Sequence, residues 1–333
     1  MSSADRVLSY ALAINEALHE AMEADPSVVV IGQGVKSPWY VGATCRGLVE
    51  RFGETRVFDT PVSENAVTGA AVGAALAGLR PVVIHPRMDF MLYAFDPIIN
   101  EAANWHYMSG GATSVPVVFW GVVNRGGEQA AQHSQALHSM FAHVPGLKVV
   151  APASPYDAKG LMLSAIADDN PVVFVDERRL YGIEGPVPEA PYRVPIGQGS
   201  VSREGTDVTV VAFSQMVPFA LDAAGMLAER GISCEVVDLR SLKPLDMPLV
   251  ASSVRKTGRA LVCDIGWRTG GIGGEISAQI AESCWNDLKG PVRRLALPDT
   301  PAPAARTQED WYYLSPQRIV EEIDRLMAGA ETR

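Results

Sequence analysis

Residues 56–84 read RVFDTPVSENAVTGAAVGAALAGLRPVVI. A short apolar run at 56–60 stops at Pro61, residues 64–78 are helix-forming, and RPVVI at 80–84 is a second apolar run. Strand, helix, strand in so short a span is the crossover unit that builds parallel sheets. Within it, no charge occurs from Ala66 to Leu79, which predicts a helix buried on all sides, yet the helix opens on a carboxylate, Glu64. An acid in a first helical turn is favoured by the helix dipole by ~0.3–1 kcal/mol and often does nothing else. At the head of a buried helix, however, it would be partly desolvated and suited to acid–base work on a bound heterocycle.

The same alternation extends in both directions. Leu8, Ala11, Leu12, Leu18 and Met22 recur at helical spacing before SVVVIG at 27–32, and beyond Ile84 come helical 92–108 and the apolar runs 115–121, 147–152 and 171–176. Apolar runs this continuous predict strands covered on both faces. From Asp176 to Asp207 the pattern lapses into a Pro- and Gly-rich stretch, after which the cycle resumes and closes on SPQRIVEEIDRLMA at 315–328. The fold expected is α/β, two doubly wound domains in series, with domain bounds at 1–190 and 191–333.

At 333 residues, 47% hydrophobic and net charge −10, the chain can bury large cores but offers no basic run for nucleic acid or anionic membrane. Neither a basic-then-apolar leader nor an apolar run of membrane-spanning length is visible, so a cytoplasmic location is the expectation. Cys45, Cys234, Cys263 and Cys284 are widely spaced, as buried thiols rather than zinc ligands or disulfides would be. Gly32-Gln33-Gly34 follows a strand, but Ser37 stands where a dinucleotide fingerprint needs its third glycine, and no phosphate-loop Gly-Lys-Ser/Thr occurs. TGGIGGE at 269–275 could cradle a phosphate or simply be a flexible loop tip. His133, His138 and His143 recur every five residues, a spacing that turns successive helical side chains ~140° apart and excludes one shared metal. His133 alone, after the loop GVVNRGGEQ and near a strand end, is placed as a site residue would be.

RVFDTPVSENAVTGAAVGAALAGLRPVV, NEAANWHYMSGG, AAQHSQALHSMFAHVPGLKVVAPASPYDAKGLMLSAIADDNPVVF and EVVDLRSLKPLD occur in order along the chain. Over about residues 5–328 the sequence closely resembles the β subunits of heterotetrameric 2-oxo acid dehydrogenase E1 components, of the pyruvate and branched-chain type. The resemblance implies a transketolase-like fold, with a pyrimidine-binding domain followed by a transketolase C-terminal domain. It also implies assembly with an E1 α subunit as α2β2, thiamine diphosphate and Mg²⁺ at the α/β interfaces, and acyl transfer to a lipoyl-bearing E2. By the same resemblance Glu64 hydrogen-bonds N1′ of the cofactor's aminopyrimidine and so activates its C2 carbon, Phe90 packs against that ring, Gln33 lies beside the cofactor, and His133 serves substrate or lipoyl group. Backbone oxygens at Val117, Ala165, Ile166 and Asp168, with Asn170, are implied as a potassium (K⁺) site.

No Gly-Asp-Gly is present, so the diphosphate and Mg²⁺ fall to the α subunit and this chain holds half a site. Departures gather around that half-site. Gly32-Gln33-Gly34 replaces the family's Gly-Glu-Glu or Gly-Glu-Asp, Ile84-His85 replaces Glu-Phe, and Arg87, Asp89 and the loop WGVVNRGGEQ are unlike the usual residues. Either the donor or acceptor differs or the α/β interface does. Arg87 and Arg125, facing the funnel, would suit a phosphorylated or carboxylated substrate. Two alternatives stay open: a split transketolase or acyloin-forming enzyme without E2, and a scaffold subunit without chemistry.

Overall fold

The computed structural model describes residues 6–329, and the chain divides between Ile196 and Gly197 into two compact units. The break lies in the Pro- and Gly-rich stretch but later than 190/191, because residues 191–196 are bound to the first unit. Val194 N donates to Gly160 O at 3.2 Å, Ser164 Oγ donates to Val194 O at 2.6 Å, and Tyr192 stacks on Tyr156 with ring centroids 4.4 Å apart.

The first unit is built on a sheet in the spatial order Lys148–Val150, Val172–Glu177, Val118–Val123, Arg80–His85, Val28–Gly32, Val57–Asp59. Every adjacent pair in this series is parallel. Val28, Val30, Val82, Ile84, Val118 and Trp120 pack with Ile14, Leu18 and Met22 of the Tyr10–Ala24 helix and Leu161 and Met162 of the Pro155–Ala167 helix. Alternate residues Val29, Val83, Phe119 and Val173 are buried as well, which is why these strands read as unbroken apolar runs. Between the two helices Lys159 is wholly buried, its Nζ donating to Glu16 Oε1 at 2.6 Å and Glu20 Oε1 at 2.7 Å.

Three local expectations are corrected. Leu8 is not helical: Arg6–Ser9 is a strand paired antiparallel with Glu184–Val187, and the helix starts at Tyr10 with Ser9 as its cap. The helix expected over 92–108 is a succession of a 3₁₀ segment Met88–Ala94, a π segment Asp96–Ala102 and an α segment Ala103–Met108. Gly146 presses so closely on this region that a Cβ there would lie 2.0 Å from Ala103 O. Finally, the Glu64–Leu76 helix is not enclosed on all sides by its own chain. Thr68, Ala71, Val72 and Ala75 are buried, whereas Ala66, Gly69, Ala70 and Gly73 are exposed. The missing charges mark a bare face of small residues rather than a buried one.

In the second unit the order is Arg293–Leu297, Ala260–Trp267, Val208–Ala212, Cys234–Asp238, Ser200–Arg203, parallel except for the last pair. The antiparallel edge strand, Ser200–Arg203, comes from the Pro- and Gly-rich stretch in which no strand was expected. TGGIGGE opens the Ile272–Cys284 helix, but the buried Asp264 carboxylate already accepts from Gly273 N at 3.1 Å and Gly266 N at 2.7 Å, so the protein's own anion serves that turn. All four cysteines are buried and free. Among the described residues no helix is long and apolar enough to cross a membrane.

Candidate active site

Parallel strands bring the residues that follow them to one rim of the sheet. Gln33 follows the Val28–Gly32 strand, Thr60–Glu64 follows Val57–Asp59, and Pro86–Phe90 follows Arg80–His85. These three segments close on one cleft lined by Gln33, Thr60, Ser63, Glu64, Arg87 and Phe90, with Ile84, His85 and Val67 beneath. Its floor tolerates no side chain at Gly32, where a Cβ would lie 2.4 Å from Ile84 O. The rim is tied by Asp59, whose Oδ1 accepts from Gly34 N at 2.8 Å. Below it, the buried His85 faces Thr68 Oγ1 at 3.4 Å, and burial pushes its imidazole down to about 4. His85 is therefore a neutral wall at physiological pH.

Glu64 is half-buried in this cleft. The Thr60 hydroxyl beside it is buried with no hydrogen-bond partner. Phe90 offers an aromatic face, and Gln33 both a donor and an acceptor. An aromatic face with a carboxylate, an amide and an unsatisfied hydroxyl around it fits a flat nitrogen heterocycle.

His133 joins the cleft from another direction. It ends the 3₁₀ turn Ala131–His133, and its ring meets Phe90 edge to face with centroids 5.5 Å apart and planes at 83°. The preceding loop is held in unusual backbone: Gly126, Gly127, Glu128 and Ala130 have φ of 75°, 70°, 64° and 57°. For Glu128 and Ala130 such a conformation costs roughly 1–2 kcal/mol each, so contacts must hold it. Gln129 Oε1 accepts from Asn124 Nδ2 at 2.7 Å, and Ser134 Oγ donates to Ala130 O at 2.8 Å. Asp89 Oδ1 accepts from Gln135 N at 3.1 Å and Gln135 Nε2 at 2.8 Å. Asp89 is 4% exposed, and burial pushes its carboxyl pKa up. It fastens the His133 loop to the turn carrying Phe90, a role that sequence reasoning missed, seeing Asp89 only as an unusual residue.

Residues 6–184 match the transketolase pyrimidine-binding domain and residues 197–319 the transketolase C-terminal domain. The β subunit of an acetoin:2,6-dichlorophenolindophenol oxidoreductase from Cupriavidus necator is 44% identical over 98% of this chain and 99% of that protein. The pyruvate dehydrogenase E1 β subunit of Rickettsia felis is 44% identical over 94% of this chain and 96% of that protein. The chain belongs to the E1 β-subunit family. A further member, the 2-oxoisovalerate dehydrogenase β subunit of Bacillus subtilis, is 43% identical over 94% of this chain and 96% of its own. A solved structure of a split-gene transketolase, an inactive β4 tetramer, shares the fold with a TM-score of 0.78 at 24% identity, covering 97% of this chain and 99% of that one.

Within this E1 β-type chain, two further expectations meet the structure. The oxygens expected to hold potassium are engaged by protein donors. Ile166 O and Asp168 O each accept from Arg80 Nη1 at 3.1 Å, and the Asp168 carboxylate pairs with Lys148. Val117 O accepts from Val172 N at 3.0 Å and Ala165 O from Asp168 N at 3.3 Å, while Asn170 N donates to Asp168 Oδ1 at 2.9 Å. Arg125 is not a funnel residue: it is 7% exposed and its Nε donates to Ser134 O at 3.1 Å, supporting the His133 loop from within. Arg87, by contrast, lines the cleft.

Proposed function

We propose that this chain is the β subunit of a thiamine-diphosphate-dependent 2-oxo acid dehydrogenase E1 and acts only with an α subunit. The observation that carries the reading is the meeting of Glu64, Gln33 and Phe90 in one cleft with His133 against Phe90 at its edge. Thiamine diphosphate, when bound, supplies a carbon nucleophile that adds to the substrate's oxo group and takes up the electron pair freed with CO₂. This chain would hold the aminopyrimidine end: Phe90 packs on the ring face, Gln33 meets its polar edge, and Glu64 shares a proton at the ring nitrogen. His133 would move a proton to or from the substrate at the rim, fixed there by Asp89 and Arg125 through Gln135 and Ser134.

The diphosphate and Mg²⁺ are assigned mainly to the α subunit, since no Gly-Asp-Gly occurs here. Need for a partner also agrees with the exposed apolar side chains on the cleft's own segments: Val62 is 68% and Tyr93 71% exposed. The relatives' names cover pyruvate, 2-oxoisovalerate and acetoin, all substrates in which a bond beside a carbonyl carbon is broken. The test is purification of the native complex, identification of its chains, and assay with 2-oxo acids for transfer to lipoamide or to aldehydes. A Gly-Asp-Gly chain, bound cofactor and acylated lipoamide support the proposal. Ketol formation without lipoamide acylation would replace it with a split transferase, and a complex without cofactor would end it.

A further inference from the structure

Arg87 is half-buried on the wall of the cleft, yet every partner of its guanidinium is a neutral oxygen. Its Nη1 donates to Pro86 O at 2.7 Å and its Nη2 to Gln129 Oε1 at 3.4 Å. Among the described residues no carboxylate forms an ion pair with it; the nearby Asp89 attracts it without direct contact and gives its Oδ1 to Gln135. Arg178 lies close enough for the two positive charges to oppose each other; its hydrogen bonds go to Tyr40 O at 3.0 Å and Trp39 O at 2.9 Å, and the Asp176 carboxylate lies within its field. A partly buried charge normally has a counter-charge, and guanidinium is shaped for carboxylate or phosphate. In a chain of net charge −10, a guanidinium on the cleft wall without an ion pair makes a local anion-attracting site.

We infer that Arg87 forms an anion subsite that reads a second acidic group on the substrate or acceptor. The group read is not the carboxylate that leaves as CO₂. Pairing that carboxylate with guanidinium would stabilise the ground state of a group whose charge the reaction must discharge. The substrate class is therefore a carbonyl compound carrying a remote oxyanion, carboxylate or phosphate. This inference rests on the cleft being the reaction site proposed above.

The test uses the native complex with wild-type chain, Arg87→Gln and Arg87→Lys. Equilibrium titrations with malonate and with inorganic phosphate are read beside kcat/KM for 2-oxoglutarate, 3-phosphohydroxypyruvate and pyruvate. The wild-type complex is expected to prefer one of the two acidic substrates over pyruvate. In Arg87→Gln that preference falls ~10- to 100-fold, the range of a charge-assisted hydrogen bond, with Arg87→Lys in between. Loss of the 2-oxoglutarate preference and of malonate binding identifies a carboxylate, and loss of the phosphorylated pair a phosphate. Equal loss on all three substrates, or anion binding unchanged by Arg87→Gln, overturns the inference. A wild-type complex that binds no thiamine diphosphate sinks the functional reading instead, and the malonate and phosphate titrations then decide on Arg87 by themselves.

Discussion

Acidification should loosen this protein at His85, and replacing His85 with Phe should remove that sensitivity. Burial lowers the His85 pKa from 6.5 to about 4, so the folded state holds it neutral while the unfolded chain takes up a proton. Stability from this group is intact above pH 6.5 and is lost as pH falls toward 4, up to about 3.4 kcal/mol for 2.5 units at 1.36 kcal/mol each. Between pH 7.5 and 5.5 the loss comes to about 1.3 kcal/mol, or a drop of about 0.5 M in urea midpoint at a slope of roughly 2.5 kcal/mol/M. Asp176 runs the other way: burial raises its carboxyl to about 7, so the folded state binds the extra proton and gains stability over the same interval. The wild-type curve alone is thus a balance of opposing titrations. The quantity to read is the change in the difference between His85→Phe and wild type across the two pH values. The lost contact with Thr68 cancels in that comparison because it does not depend on pH. Parallel shifts of both proteins would refute the burial argument.

His133→Ala should lower substrate turnover by ~100-fold or more while cofactor affinity, measured by fluorescence titration of the complex, stays within about threefold; an equal loss of cofactor binding would show that His133 belongs to the cofactor site. Lys159→Met should destabilise the first unit by ~3 kcal/mol, because it leaves Glu20 without its cation and Glu16 with Arg6 alone. Adding Glu16→Gln and Glu20→Leu should recover at least half of that in denaturant midpoint, and no recovery would mean that packing rather than charge decides the site.

The strand–helix alternation was legible because parallel strands buried on both faces leave unbroken Val and Ile runs, as at 28–31 and 172–175. Glu64 was legible because it is the one charge at the head of an uncharged helix. What that blank face meant was not, since a helix covered by its own chain and one left bare for another chain omit charges alike. The 3₁₀–π–α succession over 88–108 was hidden because its apolar spacing reads as one continuous helix, and the close approach of Gly146 to Ala103 O is a contact far along the chain. Arg125 and Asp89 misled for a related reason. Their local sequence says charge, while their partners, Ser134 and Gln135, lie on a loop whose left-handed residues Glu128 and Ala130 no propensity would suggest.

The central claim is that this chain carries the carboxylate that activates a cofactor held jointly with a partner. Its most direct test is the exchange rate of the C2 proton of bound thiamine diphosphate with deuterated solvent, compared between the native complex and one bearing Glu64→Gln. Glu64→Gln is expected to assemble and retain cofactor while exchange slows by ~100-fold or more. Unchanged exchange in an assembled, cofactor-loaded Glu64→Gln complex would contradict it.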